Sequence, residues 1–304
     1  MKRPVGAYLW MLWSAVSFAT MGALSKLLAD TSDWRFLAFV RAALMLLFAA
    51  AIGLSTRTTF IFRGTPMLWM RSLVGSLSML CTFYTLTHLP FSEATTLIKC
   101  YPIWVALLSW VVLKERPSGK IWIAIVVGLA GVVLIAQPHF DEARVALATG
   151  VVSSIATAVV MLGLNRLAQV DARSIVIHFA MTSTVVCAAV FAIAGSGRPI
   201  GALGHPRDLA MLFGMGLLGT VGQIALTRAF ALGDPSRVSV VGLSEMLFGA
   251  AYDRILWHRS FGWVTLAGMA LVAAPTAWLL ATTSRPSRPE SSGSPQAAGP
   301  ATTP

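Results

Sequence analysis

The chain has 304 residues, 56% of them hydrophobic and only 12% charged, against about 25% charged in soluble domains. A water-soluble fold could not use that much apolar sequence without exposing large patches, so a soluble enzyme or binding domain is excluded as the main architecture. The formal net charge of +11 would suggest a nucleic-acid partner in a soluble chain. Here the basic residues fall mostly between apolar runs and report topology instead.

A bilayer core of about 30 Å is crossed by about 20 helical residues. In chain order, spans are predicted at about 5–28, 34–54, 66–88, 92–113, 119–136, 145–167, 174–194, 207–232, 235–257 and 261–281. They are too long and too uniformly apolar for the alternating strands of a barrel, so they are read as helices. The breaks carry helix stoppers or charges: Asp30 to Asp33, Arg57 to Arg63, Leu89-Pro90, Lys114 to Pro117, Gln137-Pro138, Asp171 to Arg173, Gly195 to Pro199, Gly233-Asp234-Pro235 and His258-Arg259. The first run follows Lys2-Arg3 as a signal peptide would. It continues to Leu28 without a small-x-small cleavage site, so an uncleaved first helix is expected. Residues 283–304 are rich in Pro, Ser, Gly and Thr and are read as a disordered tail; a phosphorylated or partner-binding tail is the alternative. Cys81, Cys100 and Cys187 all lie inside apolar spans, which argues against a disulfide framework.

Basic residues set the orientation. One side receives Lys2, Arg3, Arg57, Arg63, Lys114, Arg116, Lys120, Arg166, Arg173, Arg237, Arg285 and Arg288; the other receives Arg35, Arg144, Arg198, Arg207 and Arg259, together with Asp30, Asp33, Asp141 and Glu142. The bias places both termini in the cytoplasm, which an even number of spans allows. The halves 1–138 and 145–282 look related. An offset of 144 sets Gly6 on Gly150, Gly75 on Gly219, Ser92 on Ser236 and Ala106 on Ala250. Five spans per half insert the second copy upside down, giving an inverted repeat with a midplane site between the halves. Fortuitous alignment of apolar helices is the bland alternative. The fold class expected is therefore an all-α integral membrane protein of ten transmembrane helices, as two inverted five-helix repeats.

Residues 83–135 carry a family likeness. The string Phe83-Tyr84-Thr85-Leu86-Thr87-His88-Leu89-Pro90-Phe91-Ser92-Glu93-Ala94 leads into Pro102-Ile103-Trp104 and on to Trp110. Leu113-Lys114-Glu115-Arg116, Trp122 and Gly128-Leu129-Ala130-Gly131 follow, with a looser counterpart in Thr227-Arg228-Ala229-Phe230, Gly268 and Pro275. This resembles the EamA-type half of the drug/metabolite transporter superfamily. The resemblance implies a ten-helix carrier of the bacterial inner membrane, both termini cytoplasmic, moving small metabolites, amino acids or drugs, usually outward. The chain departs from that pattern at Arg259, which repeats Glu115, at Glu245, Asp253 and Arg254 in span nine, and at Lys99.

An ionisable group at membrane depth costs about 3 kcal/mol unless it faces a cavity or a partner. Lys99 lies seven residues into span four beside Tyr101 and Pro102. Pro102 lacks a backbone donor and breaks the helix, and Tyr101 could donate to a substrate. Lys99, Tyr101, Pro102 and Trp104 are therefore taken as a binding station, against the alternative that Lys99 snorkels to the interface. Arg41 lies at similar depth in span two and could grip an anion bidentately, or else pair with a carboxylate or a carbonyl. Glu245, near the middle of span nine, is the coupling candidate, with a structural ion pair to Arg41 or Lys99 as the alternative. His178 could titrate or simply pack. Arg71, Lys26 and Arg228 lie near span ends and are expected to snorkel. Glu93, at the outer boundary, is either a gate or a solvated span end. Gly216, Gly219, Gly222 and the pair Ala124, Gly128 form small-residue faces suited to a tight bundle and a homodimer.

No HExxH, CxxC or Walker A pattern is present, so no cofactor, metal, catalytic residue or ATP-driven step is expected, and the chain is not read as an enzyme. The expected function is secondary transport, as an exporter, of a small metabolite such as an amino acid or organic acid by alternating access. The rival is a flippase for a lipid-linked substrate. The expected partners are that solute and the bilayer, with no nucleic acid.

Overall fold

The computed structural model describes residues 4–283 except 30, 90, 113, 115, 138–143, 196–203 and 259. The tail, Lys2-Arg3, Glu115, Arg259 and the side chain of Glu93 lie outside the described residues. Among the described residues there are twelve helices and no strand: α1 Pro4–Leu28, α2 Trp34–Ser55, α3 Pro66–His88, α4 Phe91–Ile98, α5 Tyr101–Val112, α6 Gly119–Ala136, α7 Arg144–Arg166, α8 Ala172–Ala194, α9 Pro206–Leu232, α10 Pro235–Gly242, α11 Glu245–Trp257 and α12 Trp263–Thr283. Eight stretches are long and apolar enough to cross a membrane, one of them joining α4 to α5. The chain is a multi-pass membrane protein. Of the ten expected spans, α3 and α10–α11 fall outside those eight. The former is long enough, at 23 residues, but carries Arg71 and the buried hydroxyls Ser72, Ser76, Ser78 and Thr85.

Helix ends follow local sequence. Asp33, Asp171 and Asp234 accept from the backbone N–H of Arg35, Arg173 and Arg237, each at 2.8 Å, capping α2, α8 and α10. Pro66, Pro206 and Pro235 occupy first turns, where a missing N–H is harmless.

Spans four and nine each split in two. Span four stops at Ile98 and restarts at Tyr101, because Pro102 offers no N–H to the Ile98 carbonyl. The chain crosses through tight turns, Cys100 N–H to Leu97 O at 3.2 Å and Ile103 N–H to Cys100 O at 3.1 Å. Span nine has no proline at its break. It passes Leu243 and Ser244 through bonds to the third residue back, Leu243 to Val240 and Ser244 to Val241, both 3.1 Å. The Tyr101 hydroxyl and the Met11 methyl lie over Gly242, leaving no room for a side chain. The 144-residue offset carries Phe91–Ile98 onto Pro235–Gly242 and Tyr101 onto Glu245, so the two breaks coincide to the residue.

Helix pairs also match. α1 packs on α9 and α3 on α7; α2 packs on α9 and α3 on α8; α1 packs on α11 and α7 on α5; α2–α8 and α6–α12 complete the set. Exchanging α1–α6 for α7–α12 leaves that set unchanged. Between α3 and α7 runs a ladder of hydroxyls: Ser78 to Thr157 at 2.8 Å, Thr82 to Ser153 at 2.7 Å and Thr85 to Thr149 at 3.1 Å, the means by which helices in lipid satisfy polar side chains against each other. The outward faces are apolar, with Trp13, Val111, Ile123, Val185 and Ile193 exposed. The small-residue faces expected to suit a dimer are used inside the protomer. Leu44 covers Gly216, Met21 covers Gly219, Phe18 covers Gly222 and Leu243 covers Gly128.

Candidate functional site

Two cavities lie between the helices. The larger, about 370 Å³, falls within the span of about 300–1,000 Å³ usual for small-molecule sites. Its lining runs from Ala29, Ser32 and Trp34 at the α1–α2 turn to Arg71 and Gln223 at the other end, its floor. Along α3 the lining runs from Arg71 to Leu86, roughly 22 Å at the helical rise. Below the floor the bundle is shut by the main apolar cluster, including Tyr8, Leu68, Val105, Leu164 and Phe230. The smaller cavity, about 240 Å³, lies between α1, α4, α6 and α11 and shares Phe18, Gly22, Lys26 and Glu245 with the larger.

The two helix breaks meet at this shared wall. Lys99 Nζ lies 2.6 Å from Glu245 Oε2, with side chains 11% and 23% exposed. Lys99 lines the smaller cavity and Glu245 lines both. Lys99 closes the last turn of α4 through its N–H to Thr95 O at 2.9 Å, and Glu245 opens α11. A cation at a helix C-terminus and an anion at an N-terminus are each favoured by the helix dipole.

Arg41 is buried and lines the larger cavity. Among the described residues it pairs with neither a carboxylate nor a carbonyl, the alternative that its sequence position offered. Its Nε donates to Met21 Sδ at 3.1 Å and its Nη1 to Met79 Sδ at 2.6 Å, and thioether sulfur is a weak acceptor. Arg41 and Lys99 line different cavities, with Glu245 common to both.

Three expected binding residues and one expected coupling residue lie away from both cavities. The Tyr101 hydroxyl donates to Ser239 O at 3.3 Å, tying α5 to α10. Pro102 is buried in the first turn of α5. Trp104 Nε1 donates to Ser154 Oγ at 3.0 Å and so faces α7. His178 is buried, its Nδ1 2.8 Å from Ser72 Oγ and its ring edge-on to Trp69 at 4.6 Å. For these four the structure shows packing and interhelical ties.

The expectation that Arg71 snorkels is corrected, while Lys26 and Arg228 meet partners near their span ends. Lys26 lines both cavities and pairs with Asp253 at 3.3 Å, over the Trp257 ring. Arg228 lies over the Trp10 ring at 4.6 Å. Arg71 is wholly buried. Its guanidinium sits 4.0 Å from the Phe179 ring centre, and none of its three nitrogens has a hydrogen-bond partner among the described residues.

A cleft of this kind, walled by two broken spans, is what the comparisons with known proteins bear on. Residues 5–137 match the model of the EamA-like transporter family. The chain is 26% identical over 261 residues to the pseudopaline exporter CntI of Pseudomonas aeruginosa, covering 85% of this chain and 90% of that one. An S-adenosylmethionine uptake transporter of Rickettsia bellii is 23% identical over 280 residues, covering 89% and 92%. Human solute carrier family 35 member G1 is 23% identical over 220 residues, covering 67% and 59%. A solved structure shares the fold, with a TM-score of 0.78 at 15% identity over 91% of this chain and 96% of that one. With relatives of near-full length named as transporters, the chain is a membrane transporter.

Proposed function

We propose that this EamA-like protein is a secondary carrier that exports a small metabolite, an amino acid or organic acid, from the bacterial cytoplasm by alternating access. The observation that carries this reading is the Lys99–Glu245 pair, which joins two broken spans at the wall of a central cavity. Discontinuous helices facing each other across a midplane cavity are the usual substrate and coupling sites of carriers. Residues 1–138 and 145–282 are the two inverted repeats; the matched helix pairs and coincident breaks support this. With both termini cytoplasmic, as the basic loops favour, the end of the cavity at the α1–α2 turn faces outward and serves as its mouth. The apolar cluster below Arg71 is then the closed inner gate. Rocking one half against the other would open that cluster and close the mouth. Arg41 and Lys99 offer positive charge to the solute, and Glu245 is the coupling carboxylate, exchanging Lys99 for a proton or for the solute's ammonium. The exporter name of the Pseudomonas relative favours outward movement.

The test is counterflow of radiolabelled amino acids, organic acids and cationic drugs in liposomes containing the purified protein. Uptake of an acid or amino acid is expected, and its loss in Lys99→Ala while the variant still unfolds cooperatively. Wild-type rates in Lys99→Ala would remove Lys99 from the mechanism. Folded protein that exchanges no solute would overturn the reading in favour of a lipid-linked substrate.

A further inference from the structure

Arg71 is the least expected group in the molecule. A buried guanidinium without a counter-charge is strongly disfavoured, because desolvation is not repaid by any partner. Contact with the Phe179 face returns only part of that cost. The two other ionic groups of the larger cavity are neutralised by neighbours, Lys26 by Asp253 and Glu245 by Lys99. Arg41 and Arg71 remain as two positive charges in the cavity wall that no carboxylate among the described side chains meets. Both reach the same stretch of α3: Arg71 Nη1 lies beside Gly75 and Arg41 Nη1 meets the sulfur of Met79. Four residues, about 6 Å of helical rise, separate Gly75 from Met79.

We infer that Arg71 and Arg41 form a two-point anion site, and that the solute of this cavity is a doubly negative oxyanion, either a dicarboxylate or a phosphate monoester. The inference rests on the carrier reading above and deepens it by naming the substrate class. Both side chains present planar forks that match carboxylate or phosphate oxygens. The unmet donors of Arg71 point to what is missing, since a buried donor set of that size is normally satisfied. The apolar walls, among them Phe18, Leu37 and Phe83, strengthen each contact by excluding water. A singly charged acid would leave one guanidinium unmet, and a cation would meet two like charges.

The experiment is thermal unfolding of the purified full-length protein in detergent, titrated with glutarate, with glycerol phosphate and with butyrate as the singly charged control. Glutarate or glycerol phosphate is expected to stabilise at a concentration about tenfold or more below butyrate, the factor that hydrogen bonds to a charged group supply; which of the two does so identifies the source of the charge. Arg71→Met is expected to raise the melting temperature of the ligand-free protein, because it removes an uncompensated charge, and to abolish the difference between dianion and monoanion. Arg71→Lys retains the charge without the fork and keeps part of that difference. Arg41→Met loses the difference as well. The inference falls if no dianion stabilises, if butyrate matches glutarate and glycerol phosphate, or if Arg71→Met binds dianions as wild type does. Dianion binding without counterflow of any solute would sustain the site and overturn the carrier reading. Counterflow of neutral or cationic solutes with no dianion effect would do the reverse.

Discussion

Helices α6 and α12 meet backbone to backbone at Gly131 and Gly268, which makes Gly131 a sharp test of the packing. A methyl group at Gly131 would lie 2.6 Å from Gly268 O, 2.8 Å from Val272 Cγ2 and 2.9 Å from Val272 N. Favourable contact between non-bonded heavy atoms begins at about 3.5 Å, and two of these three atoms are backbone, so α12 must move as a body. Overpacking costs about 1–3 kcal/mol, and a backbone obstacle puts Gly131→Ala at the upper end. Helix propensity returns about 1 kcal/mol on replacing glycine with alanine. The net expectation is a loss of about 2 kcal/mol. Gly249 is the control, since nothing lies within 4 Å of a methyl there. Gly249→Ala should gain up to about 1 kcal/mol from propensity alone. Both variants are to be measured by denaturant unfolding in one detergent, followed by intrinsic tryptophan fluorescence. Opposite signs are expected. If Gly131→Ala stabilises as Gly249→Ala does, the α6–α12 contact is not as close as described.

Lys99→Met alone leaves Glu245 without its partner and should cost about 3 kcal/mol, at the low end for a buried pair because the carboxylate borders a cavity; adding Glu245→Gln should recover most of it, and a double variant as unstable as the single would show that the two do not interact. Tyr101→Phe removes one hydrogen bond, to Ser239 O, and should lose about 1 kcal/mol of stability with counterflow unchanged; a fall in counterflow at full stability would return the hydroxyl to the binding site. Pro102→Ala restores a donor for the Ile98 carbonyl, yet proline in a first turn costs little and span nine breaks without one. Stability should therefore change by less than about 1 kcal/mol, with the Lys99–Glu245 coupling measured by double-mutant cycle intact.

Hydropathy carried the spans because a membrane helix must be apolar over a fixed length, whatever it packs against. The break at Lys99 was legible because Pro102 announces it. Its twin at Leu243 was not, because what marks it is tertiary: Tyr101 of span four and Met11 of span one close over Gly242 of span nine. Depth was likewise legible and direction was not. Tyr101 is two residues from Lys99, but consecutive helical residues point about 100° apart, and a break intervenes. One charge therefore reaches a cavity while the neighbouring hydroxyl reaches α10. Arg71 carried a signal that distance from the span end concealed. It begins a small, polar stripe of Gly75, Ser78 and Thr82 at helical spacing, the side of α3 that lines the larger cavity. A long basic side chain on a polar stripe points inward, and one on an apolar stripe snorkels.

The two breaks explain why a Lys and a Glu can stay at membrane depth. An unbroken span has its helix ends at the interfaces, where the dipole can act only on charges already in contact with water. Breaking spans four and nine moves a C-terminus and an N-terminus into the middle of the bundle. Lys99 occupies the first of these ends and Glu245 the second. Each charge is stabilised three times over, by its helix end, by its partner at 2.6 Å and by the cavity it borders. Any rearrangement that straightens one span removes the helix-end support of the residue on that span and shifts it from its partner. The pair is therefore sensitive to the conformation of both halves, which is the property a coupling element needs. Arg41 and Arg71 lack the first two of these supports: neither sits at a helix end or faces a described carboxylate, and their neighbours are sulfur and an aromatic ring. Charges held so poorly by the protein alone are best accounted for by what enters the cavity.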